Sequence, residues 1–367
     1  MTCRATILMT ALICALDPAP ATAAQDSASG RELYLAACAA CHGPDGKGMP
    51  RSSVGFDTPL PDMTRCSFAT PEADADWFAV AHSGGPVRAF DRRMPAFGEA
   101  LTNEQLSSIL GHIRTFCTDK SWPRGELNMP RALATEKAFP ENEAVFAATI
   151  ANDDTSAVTT SVIYERRVGA RNQVELIVPL AFRENSANNW SQGIGDLALA
   201  AKRVLYHSLD RGSIVSFAGE LIFPTGDDDK GLGDGVMRIE PFIAVGQLLP
   251  RDSFVQFQGG FELSMNRDRA QHEAFWRTAL GRSLVEPNFG RAWTPMIELL
   301  GARELASGET VQWDLVPQLQ VSLSRRQHIL FNAGVQVPLN DRGRRDPRVL
   351  AYVLWDWFDG GFFSGWR

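Results

Sequence analysis

The sequence predicts a small all-α domain followed by a larger all-β domain of about twelve antiparallel strands closed into a barrel. Three observations predict it. Helical periodicity near the N-terminus surrounds a single Cys-x-x-Cys-His motif, Cys38 to His42. From residue 143 onward the periodicity becomes strict alternation and does not change back. The alternating segments are long and follow one another as hairpins, with joints that are short and long in turn.

At 367 residues, 44% of them hydrophobic, the chain is long enough for two well-packed domains. A net charge of −7 gives no reason to expect a nucleic-acid partner. Beyond the first thirty residues no apolar run reaches the length of a membrane-spanning helix. Arg4, the apolar run Ala5 to Leu16 and Ala21-Thr22-Ala23-Ala24 form a secretory signal peptide, residues 1–24. Cys14 follows Ile13, where a lipidated cysteine wants a small residue, so a lipid anchor is not expected.

The Cys38-Ala39-Ala40-Cys41-His42 stretch has the spacing for a c-type haem. On one helical turn two thiols reach the two vinyl groups of one porphyrin, and the histidine lies under the iron. Cys38 and Cys41 are then the thioether links of one covalent haem c, and His42 the proximal iron ligand. Cys-x-x-Cys alone can also be a redox or zinc pair; export favours haem. Cys66 and Cys117 remain, and in an exported chain they form a disulfide or stay as two buried thiols.

Residues 25–120 read as one domain. Ser29 caps a helix, Gly30 to Ala40, leading into the motif, and the run Gly43 to Gly48 is turn chemistry. Residues 72–82 carry Trp77, Phe78 and Ala81 at helical spacing. A last helix begins at the cap Thr102, with Leu106, Ile109, Leu110, Ile113 and Phe116 on one face. Helices at either end with the motif between them resemble a small monohaem class I cytochrome c. The resemblance implies a distal methionine on the loop before the last helix, which is Met94 in Arg93-Met94-Pro95. Met49, Met63, His82 and His112 are the other residues able to ligate iron. Arg88, Arg92 and Arg93 either neutralise haem propionates or form a solvated basic loop. Residues 121–142, rich in proline and charge, read as a linker.

Residues 143–367 form the β domain. In Phe254 to Leu263, Val255, Phe257, Phe261 and Leu263 oppose Gln256, Gln258 and Glu262. In Val311 to Leu323, Trp313, Leu315, Leu319 and Val321 oppose Asp314, Gln318 and Gln320. Strands are expected near 143–151, 155–167, 171–183, 192–207, 212–224, 235–249, 252–265, 272–286, 290–304, 309–324, 327–338 and 347–358. Their length, even number and alternating joints are the pattern of an outer-membrane barrel, with short turns in the periplasm. Both ends of the barrel then fall on the short-turn side, with the first domain. The terminal strand Val349 to Phe358 and the tail Phe362 to Trp366 are rich in aromatics, as interface girdles and barrel C-termini are. Gly193 to Leu197 and Phe223 to Gly226 make this domain similar to the outer-membrane family labelled a phenol-degradation-pathway transporter. Glu175, Glu220, Arg238, Glu240, Glu262, Glu298 and Glu304 are expected to face the lumen, lining a polar pore or packing as a plug. Asp227-Asp228-Asp229 with Asp234 is a candidate divalent-cation loop or a solvated run.

The whole resembles bacterial cytochrome–porin fusions. The resemblance implies electron transfer, and the parity of the joints puts the haem domain in the periplasm. The expectation is an electron carrier in the outer membrane of a Gram-negative bacterium, with periplasmic redox proteins or a dehydrogenase as partners and outer-membrane lipid around the barrel. The alternatives are a porin or transporter gated by the haem domain, or a transmembrane electron conduit. No catalytic dyad or triad is evident, so an enzyme is not expected.

Overall fold

The computed structural model describes residues 28–152, 156–184, 189–286, 290–341 and 345–357. The signal peptide and the aromatic tail from Phe358 onward lie outside the described residues. The chain is a small helical domain followed by a closed antiparallel barrel.

In the first domain, α1 (Gly30–Ala37) begins with a capping box in which Ser29 and Glu32 satisfy each other's backbone donors. The helix expected to run to Ala40 is broken at Cys38, where the backbone leaves ideal helical geometry and a second short helix, α2 (Ala39–His42), starts. Two single turns follow, α3 (Arg51–Val54) and α4 (Cys66–Ala69), then α5 (Asp74–Ser83) and α6 (Asn103–Arg114). A second capping box, Thr102 with Gln105, starts α6. Its Leu106, Ile109, Leu110 and Ile113 are buried. Ile109, Leu110 and Ile113 pack with Tyr34 and Met63, and with Cys38, Trp77 and Phe78 beside them. Cys66 and Cys117 are joined by a disulfide, which ties α4 to the chain leaving α6.

The barrel is built from β1 (Glu143–Asn152), β2 (Ser156–Val168), β3 (Asn172–Glu184), β4 (Trp190–Ile194), β5 (Leu197–Ser208), β6 (Ser213–Phe223), β7 (Arg238–Leu249), β8 (Ser253–Ser264), β9 (Glu273–Arg282), β10 (Leu284–Glu286), β11 (Gly290–Glu304), β12 (Gln312–Ser322), β13 (Ile329–Pro338) and β14 (Arg348–Asp356). Each stave pairs with its sequence neighbours, and β1 pairs β14, so the sheet closes on itself. Two staves are interrupted, β4 with β5 and β9 with β10, which leaves twelve in the ring. The stave expected over 192–207 breaks at Gly195–Asp196 for two reasons. Pro179 opposite has no N–H to offer the ladder, although its carbonyl accepts from Gly195 N at 2.9 Å. Asp196 turns away from the ladder, its carboxylate accepting from Gly226 N and Asp234 N, each at 2.9 Å.

The alternation sorts side chains across the barrel wall. Phe217, Ile243, Phe257, Leu280, Ile297 and Leu319 are exposed on the outside, while Gln256, Gln258, Glu298, Gln318, Gln320 and Asn332 are buried inside. Among the expected lumen charges, Glu298 is fully buried and Arg238 meets Glu262 at 2.7 Å, but Glu304 at the end of β11 is exposed. The acidic loop is not a gathered site. Asp227 pairs with Lys230 at 2.6 Å, Asp228 with Arg269 at 2.7 Å, and Asp234 with Arg238.

The stretch expected to be a linker has one 3-10 turn, Gly125–Leu127, yet it is no free spacer. It enters the barrel and fills it. Leu133 N and Thr135 N donate to the Glu298 carboxylate at 3.0 and 2.6 Å, and Glu136 N donates to Gln258 at 3.0 Å. The Arg131 carbonyl accepts from Tyr352 Oη at 2.6 Å, and Gln256 reaches the Pro130 carbonyl at 2.8 Å. Arg131 lies among Glu136, Glu143 and Glu165, and Lys202 holds Glu136 at 2.8 Å. A strand-free segment carries backbone donors and acceptors that need partners, and lumen side chains supply them.

Candidate haem-binding site

The site starts from the short helix α2. Its last carbonyls have no partner within one turn, so the Gly43–Met49 loop folds back to supply them: Gly48 N donates to His42 O and Met49 N to Cys41 O, each at 2.8 Å. Gly43 and Gly46 take φ near +75°, a conformation that side chains resist. Tyr34, fully buried, donates its hydroxyl to Gly43 O at 2.7 Å and so clamps the turn after His42 onto α1.

Cys38 and Cys41 are half-buried thiols, unbridged. Burial raises the Cys38 thiol to about 11, with the neighbouring Cys41 adding to the shift, so it stays protonated at neutral pH. The same burial lowers the His42 imidazole below its ordinary value, which keeps it neutral. His42 Nδ1 is buried and has no hydrogen-bond partner among the described residues. Two thiols one turn apart, a neutral buried imidazole next to them and a partner-free ring nitrogen fit the attachment chemistry of a c-type haem.

Met94 is half-buried on the loop between α5 and α6. Its carbonyl accepts from Gly85 N at 2.9 Å and its own N–H donates to Asp91 O at 3.1 Å. A Cβ at Gly85 would come within 2.3 Å of Asp91 O, so only glycine lets the end of α5 approach this loop. Three of the other candidate ligands, Met63, His112 and His82, have packing roles, and Met49 closes the loop after His42 through its backbone. Met63 is 7% exposed in the domain core, and His112 packs edge-on against Tyr34 and Phe116. His82 stacks on Phe78, and its Nδ1 lies 3.0 Å from Ser83 Oγ. Arg88 is not a loop cation: it is buried and paired with Asp76 at 2.5 Å. Arg93 pairs with Asp91 at 3.0 Å, and Arg92 is exposed.

Sequence reasoning put this domain on the short-turn side of the barrel but missed the contacts that seat it on the rim. Arg326, in the turn between β12 and β13, lies 4.5 Å over the Phe90 ring, and His328 is buried between Glu72 at 3.6 Å and Asp356 at 3.5 Å. Gly125 N donates to Thr70 O at 2.7 Å, and Arg124 meets Asp74 at 2.9 Å. A cavity of about 80 Å³ remains between Glu72, Arg88, Arg131, Lys137 and His328. The Arg325-Arg326 pair reads in sequence only as a turn, and nothing local marks it as a seat.

Residues 25–113 match the family described as Cytochrome C oxidase, cbb3-type, subunit III. In fold, the chain is similar to the KdgM porin, at 8% identity and TM-score 0.41, with 59% of this chain and 99% of that chain covered. It is also similar to an outer membrane channel from Pseudomonas putida, at 13% identity and TM-score 0.46, covering 62% and 100%. No curated protein matches the chain. The N-terminal part is thus a cytochrome c domain, a kind that implies haem c, and it is fused to a closed twelve-stave β-barrel.

Proposed function

We propose that this chain is an electron-transfer protein anchored in the outer membrane of a Gram-negative bacterium by its barrel, with the haem domain in the periplasm. One haem c is held through thioethers to Cys38 and Cys41, with His42 and Met94 as iron ligands. The bound haem supplies one-electron Fe(III)/Fe(II) chemistry, and a thioether ligand raises its potential relative to a second histidine. The chain's own residues orient it: Tyr34 and the Gly43–Met49 loop hold His42, and the Gly85 contact holds the Met94 loop.

The observation that carries this reading is the filled lumen beneath a docked haem domain. Residues 130–137 hydrogen-bond to staves around the ring, including β8, β11 and β14, so the barrel serves as a holder rather than a passage. A closed ladder leaves no sheet edge, and its outer face is apolar, as a bilayer demands. The short-turn rim and both barrel ends lie with the haem domain, which supports a periplasmic haem. Electron partners are then periplasmic redox proteins or a dehydrogenase.

Outer-membrane vesicles test this. A membrane-impermeant reductant added outside should reduce the haem only after the vesicles are opened. Prompt reduction in sealed, right-side-out vesicles would refute the topology in favour of a transmembrane conduit.

A further inference from the structure

At the short-turn rim an open cavity of about 360 Å³ lies between the turn after β2 and the start of the plug segment, lined by Ser121, Ala170, Arg171, Asn172 and Arg203. Its charge is all of one sign. Arg203 alternates with Lys202 on β5: Lys202 is buried and points to Glu136 in the lumen, whereas Arg203 is exposed on the outer wall beside Leu205, itself 55% exposed. Arg166 on β2 does the same. Its neighbour Glu165 is buried in the lumen, and Arg166 lies on the outer wall between Tyr164 and Val168, 42% and 50% exposed.

The register sets the spacing. Arg166 is opposite Val174 of β3, and Arg203 is opposite Asn172 of the same strand. The two arginines therefore flank one strand, roughly 10 Å apart laterally from the separation of neighbouring strands. Neither has a carboxylate partner among the described residues; Arg203 Nη1 donates to Asn172 Oδ1 at 2.8 Å. Arg171 Nε donates to Ser121 O at 3.1 Å. Its acidic neighbour Asp119 accepts from Ser121 N and the Trp122 indole, at 2.9 and 3.1 Å, and these bonds, with a smaller contribution from the Arg171 charge, hold its carboxyl below the ordinary range.

Arg166 and Arg203, on an apolar outer wall without a carboxylate partner among the described residues, need counter-charge from outside; Arg171 shares the cavity with Arg203, and an arginine fork matches phosphate oxygens. We propose that this niche binds the phosphate headgroup of an anionic phospholipid of the periplasmic leaflet, with Arg171 and Arg203 on the phosphate and Arg166 as a second positive charge beside it. The proposal rests on the membrane reading above, with the short-turn rim in that leaflet.

The test uses the full-length haem-loaded protein in detergent, given equal phosphatidylglycerol and phosphatidylethanolamine, with bound lipid read by native mass spectrometry. Phosphatidylglycerol should be retained preferentially. R171Q/R203Q should lose that preference by roughly ten- to thirtyfold, as two arginines near a headgroup imply. R51Q/R65Q, which removes the same charge from the haem domain, should keep it. Equal retention by R171Q/R203Q overturns the proposal. Displacement of the lipid by millimolar inorganic phosphate overturns the lipid as ligand and leaves a free-anion site. Flotation with liposomes separates the two readings: a protein that does not float sinks both, and one that floats without lipid preference sinks only this one.

Discussion

The two interiors of this chain differ in how much polar material they hold, although the barrel also packs Leu127 and Phe139 of the plug against Ile214, Phe242 and Phe275. The haem domain centres on Tyr34, Met63, Ile109, Leu110 and Ile113 and buries its Arg88–Asp76 ion pair at its edge. The barrel turns Phe217, Phe257 and Leu319 outward and buries Glu298, Gln258 and Asn332 together with the Arg131 plug. The difference teaches that burial follows the solvent. A domain in water sinks apolar surface into its centre, while a barrel placed in lipid turns much of that surface outward, and the polar groups left inside it must all be given partners.

The largest effect that would break this comparison is Arg131→Ala. It leaves Glu136, Glu143 and Glu165 buried without their shared cation, which should cost about 3–5 kcal/mol and loosen the plug. Denaturant unfolding of the barrel and planar-bilayer conductance read it, and an unchanged, closed and equally stable barrel would remove the plug from the account. Next is Leu106→Ala on α6, at 1% exposure, with an expected loss of about 2–5 kcal/mol from the haem domain. Thermal loss of the haem visible bands measures it, and the barrel should not respond. Thr102→Ala removes the cap of α6 and should cost about 1 kcal/mol in the same assay. The smallest effect is expected of Phe217→Ala, 49% exposed on the barrel wall. Its stability change in detergent should stay within about 0.5 kcal/mol, and a loss like that of Leu106→Ala would mean that this face is packed rather than solvated by lipid.

Much of this was legible because it is local. The Ser29 and Thr102 capping boxes act over three residues, and the alternation of Gln256 and Gln258 with Val255 and Phe257 repeats along one strand. Where the sequence reading failed, the deciding contact was distant. The stave over 192–207 looks continuous until Pro179 and the loop donors of Asp196 are set beside it. Arg88 looks solvated until Asp76 reaches it.

By itself the sequence determined the order of the domains, the motif at Cys38 to His42, the stave count and which face of each strand is apolar. These follow from backbone geometry and short-range chemistry, which spacing records directly. Only the tertiary structure decided that residues 121–142 are no free linker but fill the lumen through residues 130–137, and which contacts seat the haem domain on the rim. The segment's proline, charge and lack of periodicity are the same in a solvated linker and in a lumen filling. The two are told apart only when Glu298, Gln258 and Tyr352, far away in the chain, turn toward that backbone, since a polar segment is stable in whichever place satisfies its hydrogen bonds.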